Sequence, residues 1–439
     1  MRLLLKGGHV IDPAAGRNGQ FDVLIEGSTI ARIGRDLPAE GAVVIEVPRG
    51  FLVCPGLIDM HVHLREPGQE HKETIATGVA AAIAGGFTAV ACMPNTDPVN
   101  DHAGITEFII KRAREAGLAR VYPIAAVSVG SNGEQLTEVG DLKRAGAVAL
   151  TDDGRPVATA LLMRRALEYA LMFDVAVIEH AEDPSLKGDG VAHEGAVAGL
   201  LGLKGIPGVA ESIMVERDVS LAELTGGRVH IAHMSARQSL RAVRAGKARD
   251  VAITCEVAPH HFTLTDEALR GYDTNAKMNP PLREEADRLA MLDGLRDGSV
   301  DVIATDHAPH HADEKALEFD RAPFGIVGLE TAVPLCFDRL VHAGVISVTR
   351  LIELLSVNPA RILRVPGGTL AEGGAADITV LAPDAVTTIH AAAMRSKSKN
   401  TPFDGWTLKG AAAVTIVGGR VVFVNDAVTG AERFLAAKD

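Results

Sequence analysis

Between residues 53 and 365 the sequence repeats one rhythm: a short apolar run of strand length, then a longer stretch of helical character. The runs read FTAVACMP, VYPIAAVS, AVALTDD, VAVIEHAED, RVHIAHMS, VAITCEVAP and VDVIATDHAP. Strands separated by helices do not pair as hairpins; they build a parallel sheet that the helices cover. About eight such units fit the interval, close to the ~250 residues of a (β/α)8 barrel with insertions. An open doubly wound sheet is the alternative, but no glycine-rich phosphate fingerprint is present. A polar or charged residue closes nearly every run, as in a barrel whose reactive groups stand at the C-terminal ends of its strands.

The chain ends have a different pattern. Residues 1–52 alternate (LLLKGGHVID, FDVLIEGSTIARIG, AVVIEV), which predicts short antiparallel strands. ADITVLAP and AVTIVGGRVVFVND repeat that pattern between 375 and 425. Neither end is long enough to bury a core alone. The expected architecture is therefore an α/β protein with a (β/α)8 TIM-like barrel over 53–365. A small β-sandwich domain would be formed by both chain ends, 1–52 and 366–439.

Composition narrows the function classes. Hydrophobic residues make up 47% and charged residues 23%, enough for a large core, and only 4% are aromatic, which suits tightly packed α/β layers. The net charge is −12 and the cations are scattered, so a nucleic-acid footprint is not expected. Cys54, Cys92, Cys255 and Cys336 form no CxxC pair and read as buried thiols in a reducing compartment. MRLLLKGGHV turns polar too early for a signal peptide, and no apolar run reaches the roughly 18–20 residues that cross a membrane. A cytoplasmic protein without membrane partners is expected.

The strand ends carry the chemistry. In DMHVHLREPG, His61 and His63 are alternate residues of a strand and face the same way. His180 ends VAVIEH, His233 ends RVHIAH, and Asp306 ends VDVIATD. One histidine in such a place is usually a satisfied core residue; four with an aspartate are a metal-ligand set. They are too many for one catalytic zinc, so two ions are more natural, and two adjacent cations need a bridging anion. Asp152 and Asp153 in ALTDDG supply candidates, although one can simply make the turn.

Taken together, DMHVHLREPG, CMPNTDPVND, TDDG, EHAED, AHMSA, MNPPLR and ATDHAPH resemble the dihydroorotase family, of the long-chain bacterial type in the amidohydrolase superfamily. The resemblance spans nearly the whole chain. It implies reversible cyclisation of N-carbamoyl-L-aspartate to L-dihydroorotate, in pyrimidine (UMP) biosynthesis, by a metal-activated hydroxide. Many superfamily members bridge their metals with a carboxylated lysine; this branch offers aspartate, and the resemblance points to Asp153, with Asp152 the other candidate. It further implies that His61, His63 and Asp306 hold one metal and His180 and His233 the other, with one or two zinc ions per chain. Asp306 would shuttle the proton. Arg65, Asn95 and His310 would grip the unreactive carboxylate of the substrate, Asn279 the amide edge of the ring, and backbone groups at Phe324 and Gly325 the remainder. His260 and His261 fall outside this set and read as supporting groups. A homodimer and an association with aspartate transcarbamoylase are compatible with the family. The rival readings are a hydantoinase or allantoinase acting on another cyclic amide, and an inactive scaffold for the transcarbamoylase.

Overall fold

The computed structural model describes residues 2–438. Eight short parallel strands succeed one another in the central region: Leu57–Val62, Phe87–Cys92, Arg120–Pro123, Ala149–Leu150, Ala176–Glu179, Val229–Ile231, Ile253–Val257 and Val302–Ile303. The first three pair in chain order and so do the last five. Parallel bridges Ala125–Leu150 and Val62–His307 join the two arcs, so hydrogen bonding runs from the first strand round to the eighth and back. The expected barrel is present. Its strands read as unbroken apolar runs because helices cover one face and packed side chains fill the other. Met60, Ala91, Ile124, Ala149, Ile178 and Ala232, each in or beside a successive strand, pack as one buried cluster inside the ring.

The helices follow from spacing and capping. Ala160–Met172 buries Leu162, Met163, Ala166, Leu167 and Ala170, a single stripe at helical period. Its N-cap Thr159 accepts a hydrogen bond from the Leu162 amide, satisfying one of the donors a helix start leaves free. Among the described residues, no helix is long and apolar enough to cross a membrane.

Both chain ends enter one eight-stranded sheet. Arg2–Asp12, Arg17–Glu26 and Thr29–Gly34 pair antiparallel, as expected. Val43–Glu46 and Leu52–Pro55 differ from the expectation, for both run parallel to Arg2–Asp12. The hairpin occupies one edge of that strand. The chain reaches the free edge only by crossing over through residues 35–42, and a crossover delivers its strand parallel. Ile378–Thr388 then pairs antiparallel with Leu52–Pro55, which brings the C-terminal strands into register with the N-terminal ones. Leu3, Val23, Ile45, Val53, Val380, Val414 and Ile416 share one core.

The sheet is joined to the barrel by buried polar contacts. Thr379 is fully buried; its hydroxyl donates to the Gly86 carbonyl (2.7 Å) and accepts from the Leu57 amide (3.2 Å) at the start of the first barrel strand. Thr379→Val keeps the shape and strands both partners. The variant is expected to lose about 1–3 kcal/mol of stability in chemical denaturation.

Candidate metal centre and active site

Five of the eight barrel strands deliver polar residues of the cluster at or just beyond their C-terminal ends. His61 lies within the first strand and His63 one residue past it; Asp153, His180, His233 and Asp306 follow the fourth, fifth, sixth and eighth. All six are buried. Asp153 stands among the four imidazoles. Its Oδ1 is 3.4 Å from His61 Nε2, 3.4 Å from His233 Nε2 and 3.7 Å from His180 Nδ1. Its other oxygen, Oδ2, is 3.6 Å from His63 Nε2. Asp306 Oδ1 lies 3.2 Å from His63 Nε2 and 3.5 Å from His61 Nε2. Asp152 turns the other way and accepts from the Ser128 amide at 3.0 Å and from its hydroxyl.

Two observations fit this cluster to metal ions. His61 Nε2 and Asp153 Oδ1 are buried with no hydrogen-bond partner, a costly arrangement unless a cation sits between the donor atoms. The ligand atoms also group in threes: His61, His63 and Asp153; Asp153, His180 and His233; His61, His233 and Asp306. Asp153 is common to the first two groups, with Oδ1 nearest His61, His180 and His233 and Oδ2 nearest His63.

A second set of side chains fixes which ring nitrogen faces the centre. Glu256, buried at the end of the seventh strand, accepts from His61 Nδ1 at 2.6 Å. Asn95 Oδ1 accepts from His63 Nδ1 at 2.9 Å. Both rings therefore present a bare Nε2 inward. His180 is reversed: its Nδ1 faces Asp153, and its Nε2 lies 3.5 Å from Glu182. The electrostatics follow. Burial opposes charge on His61, but Asp153, Glu256 and Asp306 outweigh it and hold the imidazole well above its usual pKa. Burial likewise opposes charge on Asp306, and His61, His63 and His233 overcome it, holding the carboxyl down at about 2. Three site residues carry backbone strain: Arg65 (φ 61°), His233 (φ 29°) and Asp306 (φ 48°) adopt left-handed conformations, which cost a non-glycine residue of order 1–3 kcal/mol each.

A cavity of about 310 Å³ opens over the cluster. Arg65, Asn95, Asn279, His310 and Phe324 line it, as do the unforeseen Lys187 and Met278. The Arg65 guanidinium donates through Nε to the Pro309 carbonyl (3.2 Å) and lies 3.3 Å from His310 Nε2. Asn279 Nδ2 sits 3.2 Å from His180 Nε2 and 3.3 Å from Glu182. Gly325 stands behind the wall: its N–H donates to the Lys277 carbonyl and its own carbonyl accepts from Lys315 and Asn400. Its φ of 153° and the 2.6 Å from an added Cβ to the Ala308 carbonyl admit only glycine. His261 bonds the Pro280 carbonyl at 2.9 Å, a supporting contact outside the cluster.

Sequence reading passed over Glu256, Glu182 and Asn400. Glu256 left a signal, a carboxylate inside the apolar run VAITCEVAP. Asn400 left none. It ties His310 to the 323–325 segment, accepting from the His310 amide (3.0 Å) and donating to the Ala308 and Gly325 carbonyls (3.0 Å each), across about ninety residues of chain.

Known proteins resemble this chain in sequence and fold. A family described as dihydro-orotase-like matches residues 50–239. The dihydroorotase of Pelotomaculum thermopropionicum is 56% identical over 422 residues, 96% of this chain and 98% of that one. The dihydroorotase of Geobacter metallireducens is 54% identical over 423 residues, 96% and 100% of the two chains. The chain belongs to the dihydroorotase family. Among solved structures, an L-hydantoinase (dihydropyrimidinase) from Arthrobacter aurescens superposes with a TM-score of 0.85 at 22% identity, over 95% of each chain. A D-hydantoinase (dihydropyrimidinase) from a Thermus species gives 0.81 at 26%, over 97% of this chain and 96% of that one. These likenesses describe the amidohydrolase barrel that dihydroorotases share. In this dihydroorotase-family chain, Glu256→Gln removes the anionic partner of His61 Nδ1. Metal affinity, read by competition with a chelator, is expected to fall about 10–100-fold.

Proposed function

We propose that the protein is a dihydroorotase, interconverting N-carbamoyl-L-aspartate and L-dihydroorotate in pyrimidine biosynthesis. The observation that carries this reading is Arg65, a guanidinium on the wall of the same cavity that exposes the His/Asp cluster. A neutral hydantoin ring offers it no anionic group to pair with. Dihydroorotate carries a carboxylate that takes no part in the reaction, and a planar fork suits it. The identity of above 50% to dihydroorotases supports the same choice over the hydantoinases, which are likened to this chain only at 21–26%.

In this reading His61, His63 and Asp306 would hold one ion and His180 and His233 the other, with Asp153 as their shared ligand; imidazole and carboxylate donors suit one or two zinc ions. Such ions would supply an acidified water and a polarised ring carbonyl. The chain's own residues do the rest. Arg65 and His310, with Asn95 beside them, fix the spare carboxylate, while Asn279 meets the amide edge. In hydrolysis, water oxygen bonds to the ring carbonyl carbon, and the carbon–nitrogen bond breaks. Asp306 takes the proton that water loses and returns it to the departing nitrogen. Ring closure is the reverse. Phe324 walls the cavity against solvent, and Gly325 keeps that wall close. The reading extends to a cytoplasmic homodimer.

Metal-loaded protein is expected to hydrolyse dihydroorotate faster than hydantoin or allantoin, and faster turnover of either rival would overturn the assignment. Arg65→Ala is expected to raise KM strongly, by an interaction of about 2–4 kcal/mol, in steady-state assays with dihydroorotate. Asp306→Asn should lower kcat by about 10²–10⁴ while dihydroorotate still binds, measured by single-turnover kinetics and equilibrium titration.

A further inference from the structure

Lys277 and Lys315 are 2% and 6% exposed. A buried ammonium ordinarily has a carboxylate beside it. Among the described residues neither lysine has one within 4.0 Å. Main-chain carbonyls of a single loop take that place. Lys277 Nζ donates to the carbonyls of Phe319 (2.6 Å), Ala322 (2.6 Å) and Asp320 (3.2 Å). Lys315 Nζ donates to those of Pro323 (2.9 Å) and Gly325 (3.1 Å). The Gly325 amide closes the circle by donating to the carbonyl of Lys277 itself at 2.9 Å.

A loop normally turns its carbonyls to water. Here they turn inward, and Pro323 and Phe324 are left facing the cavity. The Phe324 ring lies 4.7 Å from Lys277 Nζ, so the same ammonium that gathers the loop also holds its aromatic face. Lysine suits this task because it has three rotatable protons on a compact head, where the planar fork of arginine could not converge on three carbonyls. Burial lowers both groups, Lys277 to about 8 and Lys315, which Lys277 also repels, to about 7. The carbonyl dipoles oppose that loss of protons. Lys277 also immediately precedes Met278 and Asn279, which line the same cavity as Phe324. One residue therefore connects two lining segments of the site.

We propose that Lys277 and Lys315 are positioning residues for the substrate: their buried head groups gather the 319–325 carbonyls and hold Phe324 against the cavity that receives the ring. The identity of that ring rests on the dihydroorotase reading; the mechanical role of the lysines does not.

The test uses metal-loaded full-length protein with Lys277→Met and Lys315→Met, which keep length and remove the donors. KM for dihydroorotate is expected to rise about tenfold or more, with kcat within about threefold and metal content at the wild-type level. Arg321, exposed within the loop, supplies a readout independent of activity. Limited trypsin cleavage after it should accelerate about tenfold or more in both variants. Phe324→Ala alone should reproduce the rise in KM, and adding Lys315→Met to it should raise KM little further, because the lysine acts through that ring. Lys277→Arg and Lys315→Arg should give intermediate KM values in folded protein.

Wild-type KM and cleavage rate in the methionine variants would overturn the proposal, as would full multiplication of the two effects in the double variant. Failure of both the methionine and the arginine variants to fold would also overturn it, leaving the pair a stability element. If wild-type protein instead preferred hydantoin, the functional reading would fall while accelerated cleavage at Arg321 would still support the clamp.

Discussion

The structure turns on one carboxylate. Asp153 sits at the mouth of a barrel with four imidazoles around it and almost no water, a position that burial alone would forbid to a charge. Burial pushes its pKa up, and His61, His180 and His233 more than reverse that, holding it well below the usual carboxylate range. The anion therefore needs the histidines, and four closely packed donor rings need the anion. The barrel makes this possible, because the ends of its first, fourth, fifth, sixth and eighth strands bring their polar residues to one rim while the strands themselves stay largely apolar.

Around that centre the polar groups act mostly on one another. Glu256 and Asn95 decide which nitrogen of His61 and His63 is free, and Glu182 lies against the far side of His180. Asn400 links His310 to the wall that carries Phe324. These groups turn a cluster of side chains into a fixed geometry, and that geometry, rather than any single residue, separates a catalytic mouth from an accidental gathering of histidines. The left-handed conformations at Arg65, His233 and Asp306 belong to the same economy: packing elsewhere keeps strained residues aimed inward.

The terminal sheet serves the barrel from outside. Thr379 bonds to Gly86 and Leu57, and Arg120 pairs with Asp377, so the C-terminal part of the sheet braces the base of the first three barrel strands. The first of those strands is the one that carries His61 and His63.

Much of this was legible in the order of residues. The strand–helix rhythm determined the barrel, since alternating apolar runs and helices leave few other ways to pack. His61, His63, His180, His233 and Asp306 were legible as candidates because each polar residue closes an apolar run, and a barrel brings such positions to one rim; Arg65 came from the family resemblance. The sequence could not separate Asp152 from Asp153: adjacent residues differ only in the direction their side chains leave the turn, and the Ser128 contacts that turn Asp152 away from the histidines lie 24 positions away. Nor could it foresee the parallel pairing of Val43–Glu46 and Leu52–Pro55, which depends on which edge of Arg2–Asp12 remained free. Asn400, and the inward turn of the loop onto Lys277 and Lys315, belonged to tertiary structure alone. Local pattern records which residues avoid water, but hydrogen bonds across long stretches of chain exist only once the fold has brought their partners within 3 Å or so of one another.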